Sequence, residues 1–326
     1  MGVEPIKSPG PALRAAVALV VGIALVYGLG VITTVLLVSW IQDTGGILEE
    51  QLLRKGPHRL FGRVALVWLL VFLPFFLRTL GWRGWKDTGY AVEGEGWSWQ
   101  HCRGSVARGL VIGLTSIGLA IGVMLLCGRR VLDPSATLMG VIGHALEFSL
   151  SCMVVALLEE TITRGILFRS LARLWNPWPT AIVISALFAF AHFLRPTPEA
   201  FDSGPVFSMS WSVLISMGDS FRNTAHIGVR TLNITLMSVV LCMFVARTGT
   251  IWMAVGTHAA WVWLKKMNGY LSDSTTELPS WSWLIGHKTD STDSLLSTVI
   301  LMVLLILALI PASRKSSSQS SHFGDV

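Results

Sequence analysis

The stretch LLEETITRGILFR, Leu157 to Arg169, sets two adjacent carboxylates, Glu159 and Glu160, at the end of an apolar run, with Arg164 four residues after the second. The residues before it, from 136 onward, are mostly apolar for long enough to cross a bilayer as one helix, which takes roughly 17–25 residues. Ionisable groups inside such a helix cost a contested ~2.5–3.5 kcal/mol or more each, so they are paired or used. Glu160 and Arg164 stand i, i+4 and share a helix face. Glu159 points about 100° away from them around the axis. One acid can therefore be neutralised within the helix while its neighbour is not. Two readings stand at this point: a salt bridge where the helix leaves the hydrocarbon, or a working acid beside a structural one.

The rest of the chain is built for lipid. It has 326 residues, of which 52% are hydrophobic and 13% charged, against about 25% charged in an average soluble chain. Mean hydropathy is +0.62. These values describe an all-α, polytopic membrane protein, and the hydropathy pattern gives about eight transmembrane helices, with a buried cavity expected among them. The expected spans are 13–41, 60–82, 107–128, 136–160, 178–194, 229–247, 248–265 and 294–311, the fourth running on past Arg164 to Leu174. The first run is too long for the core of a signal peptide and is expected to be retained. The stretch PVFSMSWSVLISMG (205–218) is apolar but too short to span, and reads as an interfacial or re-entrant helix. The Ser-rich tail after Pro311 reads as disordered. Three segments follow: 1–135, with the first three helices and polar loops; 136–265, a core of four helices; and 266–326, the last helix and the tail.

The net charge of +6 comes from Lys and Arg scattered through short connections, without a stripe or run. That pattern suits anionic headgroups, so membrane lipid is the expected partner and nucleic acid is not. Lys and Arg divide almost evenly between the two sides, so the positive-inside rule assigns no orientation. Cys102, Cys127, Cys152 and Cys242 form no C-x-x-C pair and three of them lie inside apolar runs, so neither a disulfide frame nor a cysteine metal site is expected.

Three further features put imidazole or charge in apolar helices. FAFAH (188–192) carries Phe188 and His192 on one face among small residues, and VGTHAAW (255–261) surrounds His258 with Gly, Thr and Ala. Small residues allow close helix approach, and either His alone reads as well as a packing residue. GHALE (143–147) holds His144 and Glu147 about 18 Å before Glu159, near the opposite membrane face, and reads as interfacial. The turn between the fourth and fifth helices, WNPWP, is centred near Asn176; Glu159 lies 17 residues before it and His192 lies 16 after. In an antiparallel hairpin both sit ~25 Å from the turn, at matching depth.

A Glu in an apolar pocket with a nearby His can activate water, and a second His can donate to a developing oxyanion. The same Glu159, His192 and His258 also compose a His₂Glu set of the kind that holds Zn2+. Neither G-x-S-x-G nor H-E-x-x-H occurs.

Glu159-Glu160-x-x-x-Arg164, then Phe188-x-x-x-His192, then His258 in an apolar helix resembles the signature of the CPBP family, which comprises type II CAAX prenyl endopeptidases and the bacteriocin-processing or immunity (Abi) proteins. The likeness covers about residues 140–265. It implies an eight-helix glutamate-type intramembrane endopeptidase in a bacterial inner membrane, acting on a membrane-anchored protein or peptide. On that likeness Glu159 activates water with help from His192, His258 stabilises the oxyanion, and Glu160, Arg164 and Phe188 support the site. The family is often filed with metalloproteases, which keeps the Zn2+ set in view. One position departs: where the family has Asn or Asp four residues after the last His, this chain has Val262. Asn233, on the sixth helix, is the candidate substitute donor. A catalytically silent immunity or peptide-binding protein, and a proton-coupled transporter with Glu147, Glu159 and His192 as relay, are the competing readings; no internal repeat supports the transporter.

Overall fold

The computed structural model describes residues 10–310 apart from 48, 51–55, 80, 83, 93–95, 202–203, 224–226, 275–281 and 287–290; the expected Ser-rich tail lies outside the described residues. Helices α1 (Pro11–Thr44), α2 (His58–Thr79) and α3 (Trp99–Leu126) precede α4 (Leu138–Glu160). The α4 helix continues without a break through a π-helical segment, Thr161–Phe168, and a last α turn, Arg169–Ala172. There follow α5 (Pro177–Phe193), α6 (Val206–Asn223), α7 (Ile227–Thr248), α8 (Trp252–Leu271) and α9 (Leu295–Leu309). The only sheet among the described residues is one short antiparallel pair, Arg130–Leu132 with Ser272–Ser274. The protein is thus an all-α polytopic membrane protein. All eight expected helices form, and α6 is the short apolar stretch at 205–218, extended at its C-terminal end.

The helices differ in how they relate to lipid. Five are long and apolar enough to cross a membrane: α1, α2, α3, the continuous 138–172 helix and α7. Two more, α5 and α9, are apolar but have 17 and 15 residues, about 25 and 22 Å at 1.5 Å per residue, short of a ~30 Å hydrocarbon core. The eighth, α8, carries Lys265 and Lys266 near its end and is buried from Ala254 to Trp261. Its environment is protein, which is why hydropathy alone overstates the number of lipid-crossing helices.

Helix starts follow capping chemistry. Ser98, Thr137, Asn176 and Ser294 accept hydrogen bonds from backbone N–H groups of α3, α4, α5 and α9 respectively, satisfying donors that a helix start leaves open. Asn176, the centre of the expected turn, is thus the cap of α5, with Pro177 in the first helical position.

The closest packing is between α3 and α8. A Cβ on Gly109 would stand 2.2 Å from Met253 O, one on Gly113 2.6 Å from Thr257 O, and one on Gly256 2.3 Å from Val106 O. Backbone meets backbone at all three places, and only glycine permits it. Gly109-x-x-x-Gly113 is the small-residue spacing that lets membrane helices touch. Trp261 Nε1 adds a buried hydrogen bond of 2.9 Å to Ser116 Oγ in the same seam. Behind α8 lies α7, buried continuously from Ser238 to Val245. The α1–α2 hairpin forms its own apolar cluster with α6 (Val31, Val35, Phe61, Met209, Val213). It meets the core where Ala15 and Leu19 pack on Leu171 and Ile184.

Replacing Gly256 by Ala is expected to wedge α3 and α8 apart and cost about 1–3 kcal/mol. Gly122→Ala, in the same helix α3 with nothing within 4 Å of the new methyl, should leave stability unchanged or slightly higher. Thermal unfolding of the two variants in detergent compares them directly.

Candidate active site

The opening stretch does not remain α-helical through its charges. From Thr161 to Phe168 it is π-helical. Thr161 Oγ1 donates to Leu157 O at 2.6 Å, and Thr163 Oγ1 donates to Glu159 O. These hydroxyls occupy carbonyls that the α ladder would use, a competition known to distort helices. The Arg169 N–H accordingly reaches back five residues to Arg164 O. π segments of this kind occur disproportionately at functional sites.

A turn outside the core braces this segment. Thr88 O lies where a Cβ on Gly165 would come within 2.7 Å, and Tyr90 Oη is 2.7 Å from Thr161 Oγ1. Asp87 accepts two hydrogen bonds from Arg173, at 2.7 and 2.8 Å. Arg169 donates to Asp87 O and Gly249 O, and Trp252 Nε1 donates to Tyr90 O. The turn at 85–90 thereby fixes the end of the long helix to the start of α8.

Glu160 and Arg164 are both fully buried, 0% exposed, and joined at 2.8 Å. Arg164 also donates to Ser238 Oγ of α7 at 2.6 Å, and its guanidinium lies 4.7 Å from the centre of the Phe188 ring, a favourable cation–π geometry. His258 Nδ1 donates to the same Glu160 oxygen at 2.8 Å. Its other ring nitrogen, Nε2, faces Glu159 Oε2 at 3.8 Å. Glu159 has a side chain 40% exposed, against 10% for His258. The two neighbouring acids therefore occupy different worlds, one locked inside a charge network and one open to the cavity.

Across from them on α5, His192 Nδ1 donates to Phe188 O at 2.9 Å. That bond fixes the ring and turns Nε2 away from its own helix. The Phe188 ring stands 4.5 Å from His192 and 6.4 Å from His258, centre to centre. Glu159 and His192 line one small hollow with Phe188, Ala191 and Arg195. His192 and His258 line a second cavity of about 170 Å³ with Phe188, Ser238 and Val262. The structure thus brings Glu159, His192 and His258 around Phe188, with Glu160 and Arg164 directly beneath.

Several expectations are revised. Among the described residues, no three His, Cys, Asp or Glu side chains are grouped to hold a metal ion. His258 presents Nδ1 to Glu160 and Nε2 to Glu159, and no step is routed through a metal. Asn233 does not replace the missing amide at Val262. It is buried, donates to Thr292 O and Ser294 O at 2.7 and 2.9 Å, and accepts from Thr298 at 2.7 Å, stapling α7 to the start of α9. Glu147 is 70% exposed and pairs with His144 at 3.4 Å, at the far end of α4. The role of Ser238 as second anchor for Arg164 was not read from sequence; a serine in an apolar run offers no signal until its neighbour is known. The Gly109-x-x-x-Gly113 spacing is the signal in the sequence for the close α3–α8 contact that seats His258.

The core of this polytopic helical membrane protein thus gathers a Glu-Glu-Arg cluster and two imidazoles from three helices. Residues 141–264 match the family model described as type II CAAX prenyl endopeptidase Rce1-like. Comparison with curated proteins and with solved structures returns no match.

Removing Arg164 leaves Glu160 charged, buried and half-paired, which typically costs 3–5 kcal/mol. Arg164→Ala is expected to lower the melting temperature steeply or abolish expression. Glu159→Gln, at an open position, should melt within about a degree or two of the parent, since surface-type changes stay within ±0.5 kcal/mol. Circular dichroism melts in detergent check both.

Proposed function

We propose that the protein is an intramembrane endopeptidase that hydrolyses a peptide bond in a membrane-anchored or C-terminal segment of a protein substrate, using water activated by Glu159. The observation that carries this reading is the division of labour between the two acids: Glu160 is consumed by Arg164 and His258, and Glu159 faces the hollow it shares with His192.

In this mechanism Glu159 takes the proton from an attacking water. His192, with its Nδ1–H held by Phe188 O, directs Nε2 at that water and orients it. The oxygen adds to the scissile carbonyl, and negative charge develops on the carbonyl oxygen. His258 in its protonated form carries N–H groups on both nitrogens. Its Nδ1–H is held by Glu160, and its Nε2–H serves the oxyanion. Glu159 then returns the proton to the leaving amine as the C–N bond breaks. Preorganised donors of this kind supply about 10²–10³ in rate each. Val262 supplies no donor, so His258 bears the oxyanion duty without a second donor from position 262. Glu160 and Arg164 position His258 and do not touch substrate.

The test is comparative membrane proteomics of cells carrying Glu159→Ala or His192→Ala. Both variants should accumulate uncleaved C-terminal or membrane-anchored segments at unchanged protein level, with processing reduced at least 10²-fold. Normal processing in both would leave a peptide-binding protein without catalysis.

A further inference from the structure

Aromatic rings form a row at one end of the helix bundle. Trp82 and Trp85 stand edge to face at 5.7 Å; Tyr90 follows Trp85 at 6.4 Å, Trp252 follows Tyr90 at 5.4 Å, and Trp97 follows Trp252 at 5.4 Å, centre to centre. The inner rings are partly covered, but Trp85, Trp97 and neighbouring Trp99 are 69%, 55% and 65% exposed. The membrane-crossing helices fix the level of the row. Spans end at Thr79, Ala172 and Thr248, and one begins at Trp99. Exposed Arg78, Arg103 and Arg247 stand within four residues of these span ends. A level at which apolar spans give way to arginine and tryptophan is that of the lipid headgroups.

On its inner side the row is tied to the long fourth helix. Ile251 N donates to Gly89 O at 3.0 Å, and Trp252 Nε1 donates to Tyr90 O at 2.8 Å. Tyr90 Oη stands 2.7 Å from Thr161 Oγ1, Thr88 O packs on Gly165, and Asp87 holds Arg173. Thr161 and Gly165 follow Glu160 by one and five residues.

We propose that this aromatic row is a bilayer contact seated in the headgroup layer, and that through it the membrane regulates the site of Glu159 and Glu160. The regulation rests on the peptidase reading of that site; the contact does not. Tryptophan suits the layer, because its ring is apolar and its N–H finds a polar partner there. The exposed arginines complement anionic headgroups. The row is also continuous with the apolar outer faces of α2 and α3, where Phe75 and Val111 are exposed, so lipid is the partner it fits rather than a soluble protein. A change in hydrocarbon thickness moves the headgroup layer along the helices. The row moves with it and draws on the brace at Thr161 and Gly165, beside the two acids.

The test reads the contact first. Full-length protein carrying Trp85→Cys and Cys127→Ser is labelled with bimane in phosphatidylcholine–phosphatidylglycerol nanodiscs. A nitroxide on the lipid headgroup should quench the label at least threefold more than a nitroxide deep in the acyl chain. Quenching by neither lipid would overturn the contact and leave the row facing a soluble partner; stronger quenching from the acyl chain would overturn the headgroup level. Regulation is read as hydrogen exchange of the segment Leu157–Arg169 in thin (dimyristoyl) and thick (dieicosenoyl) phosphatidylcholine bilayers. The parent should differ at least fivefold between the two. Trp85→Ser combined with Trp97→Ser should reduce this to less than twofold, while Trp211→Ser, an exposed tryptophan on α6, should leave it intact. Equal exchange in both bilayers would overturn the regulation, and a difference that persists in the double variant would remove the row as its cause. Cleavage in cells tests the peptidase reading separately: thickness-dependent exchange together with normal processing by Glu159→Ala would keep the membrane contact and remove the hydrolase.

Discussion

One oxygen of Glu160 accepts from Arg164 and from His258 at 2.8 Å each, entirely out of water. Taking a carboxylate and a guanidinium from water costs several kcal/mol per ion, and the attraction between them repays this only when the geometry is good and further hydrogen bonds complete it. Arg164 obtains these from Ser238 and the face of Phe188, and Glu160 obtains its second donor from His258. The long fourth helix, α5, α7 and α8 are thereby fastened at one point. Because Glu160 is committed to this duty, Glu159 is the acid left facing the cavity.

The fastening requires α8 to sit deep in the protein, and glycine secures that. Contact at Gly109, Gly113 and Gly256 brings the α8 backbone against α3, and His258 follows two residues after Gly256. On the other side, the turn at 85–90 holds the π segment from outside the core. The geometry of the two carboxylates is therefore set by a seam of missing side chains and by a loop well separated from them in sequence.

Much of this was legible in the residues. The i, i+4 spacing named the Glu160–Arg164 pair, and counting from the Asn176 turn placed Glu159 and His192 at one depth, where both now line a single hollow. The helices themselves followed from hydropathy, with the exception that α8 is embedded in protein and α5 and α9 are short. What could not be read was rotation between helices. No periodicity states that both nitrogens of His258 look at carboxylates, that Asn233 turns toward the start of α9, or that Ser238 meets Arg164. The π segment was equally hidden, because its cause is hydroxyl competition by Thr161 and Thr163, and an i, i+4 pair survives in either kind of helix.

That segment also fixes how the sequence can change length. A π-helical stretch is an α-helix with surplus chain wound into it. Deleting one residue between Thr161 and Phe168 could be absorbed as a return to α geometry, but everything beyond would keep its rotational phase only if the surplus were removed exactly once. Anywhere else in the long helix, a deletion turns the following residues by about 100°, swinging Arg169 and Arg173 off Asp87. The fourth helix thus tolerates a change of length at one place, and that place is where its two acids face apart.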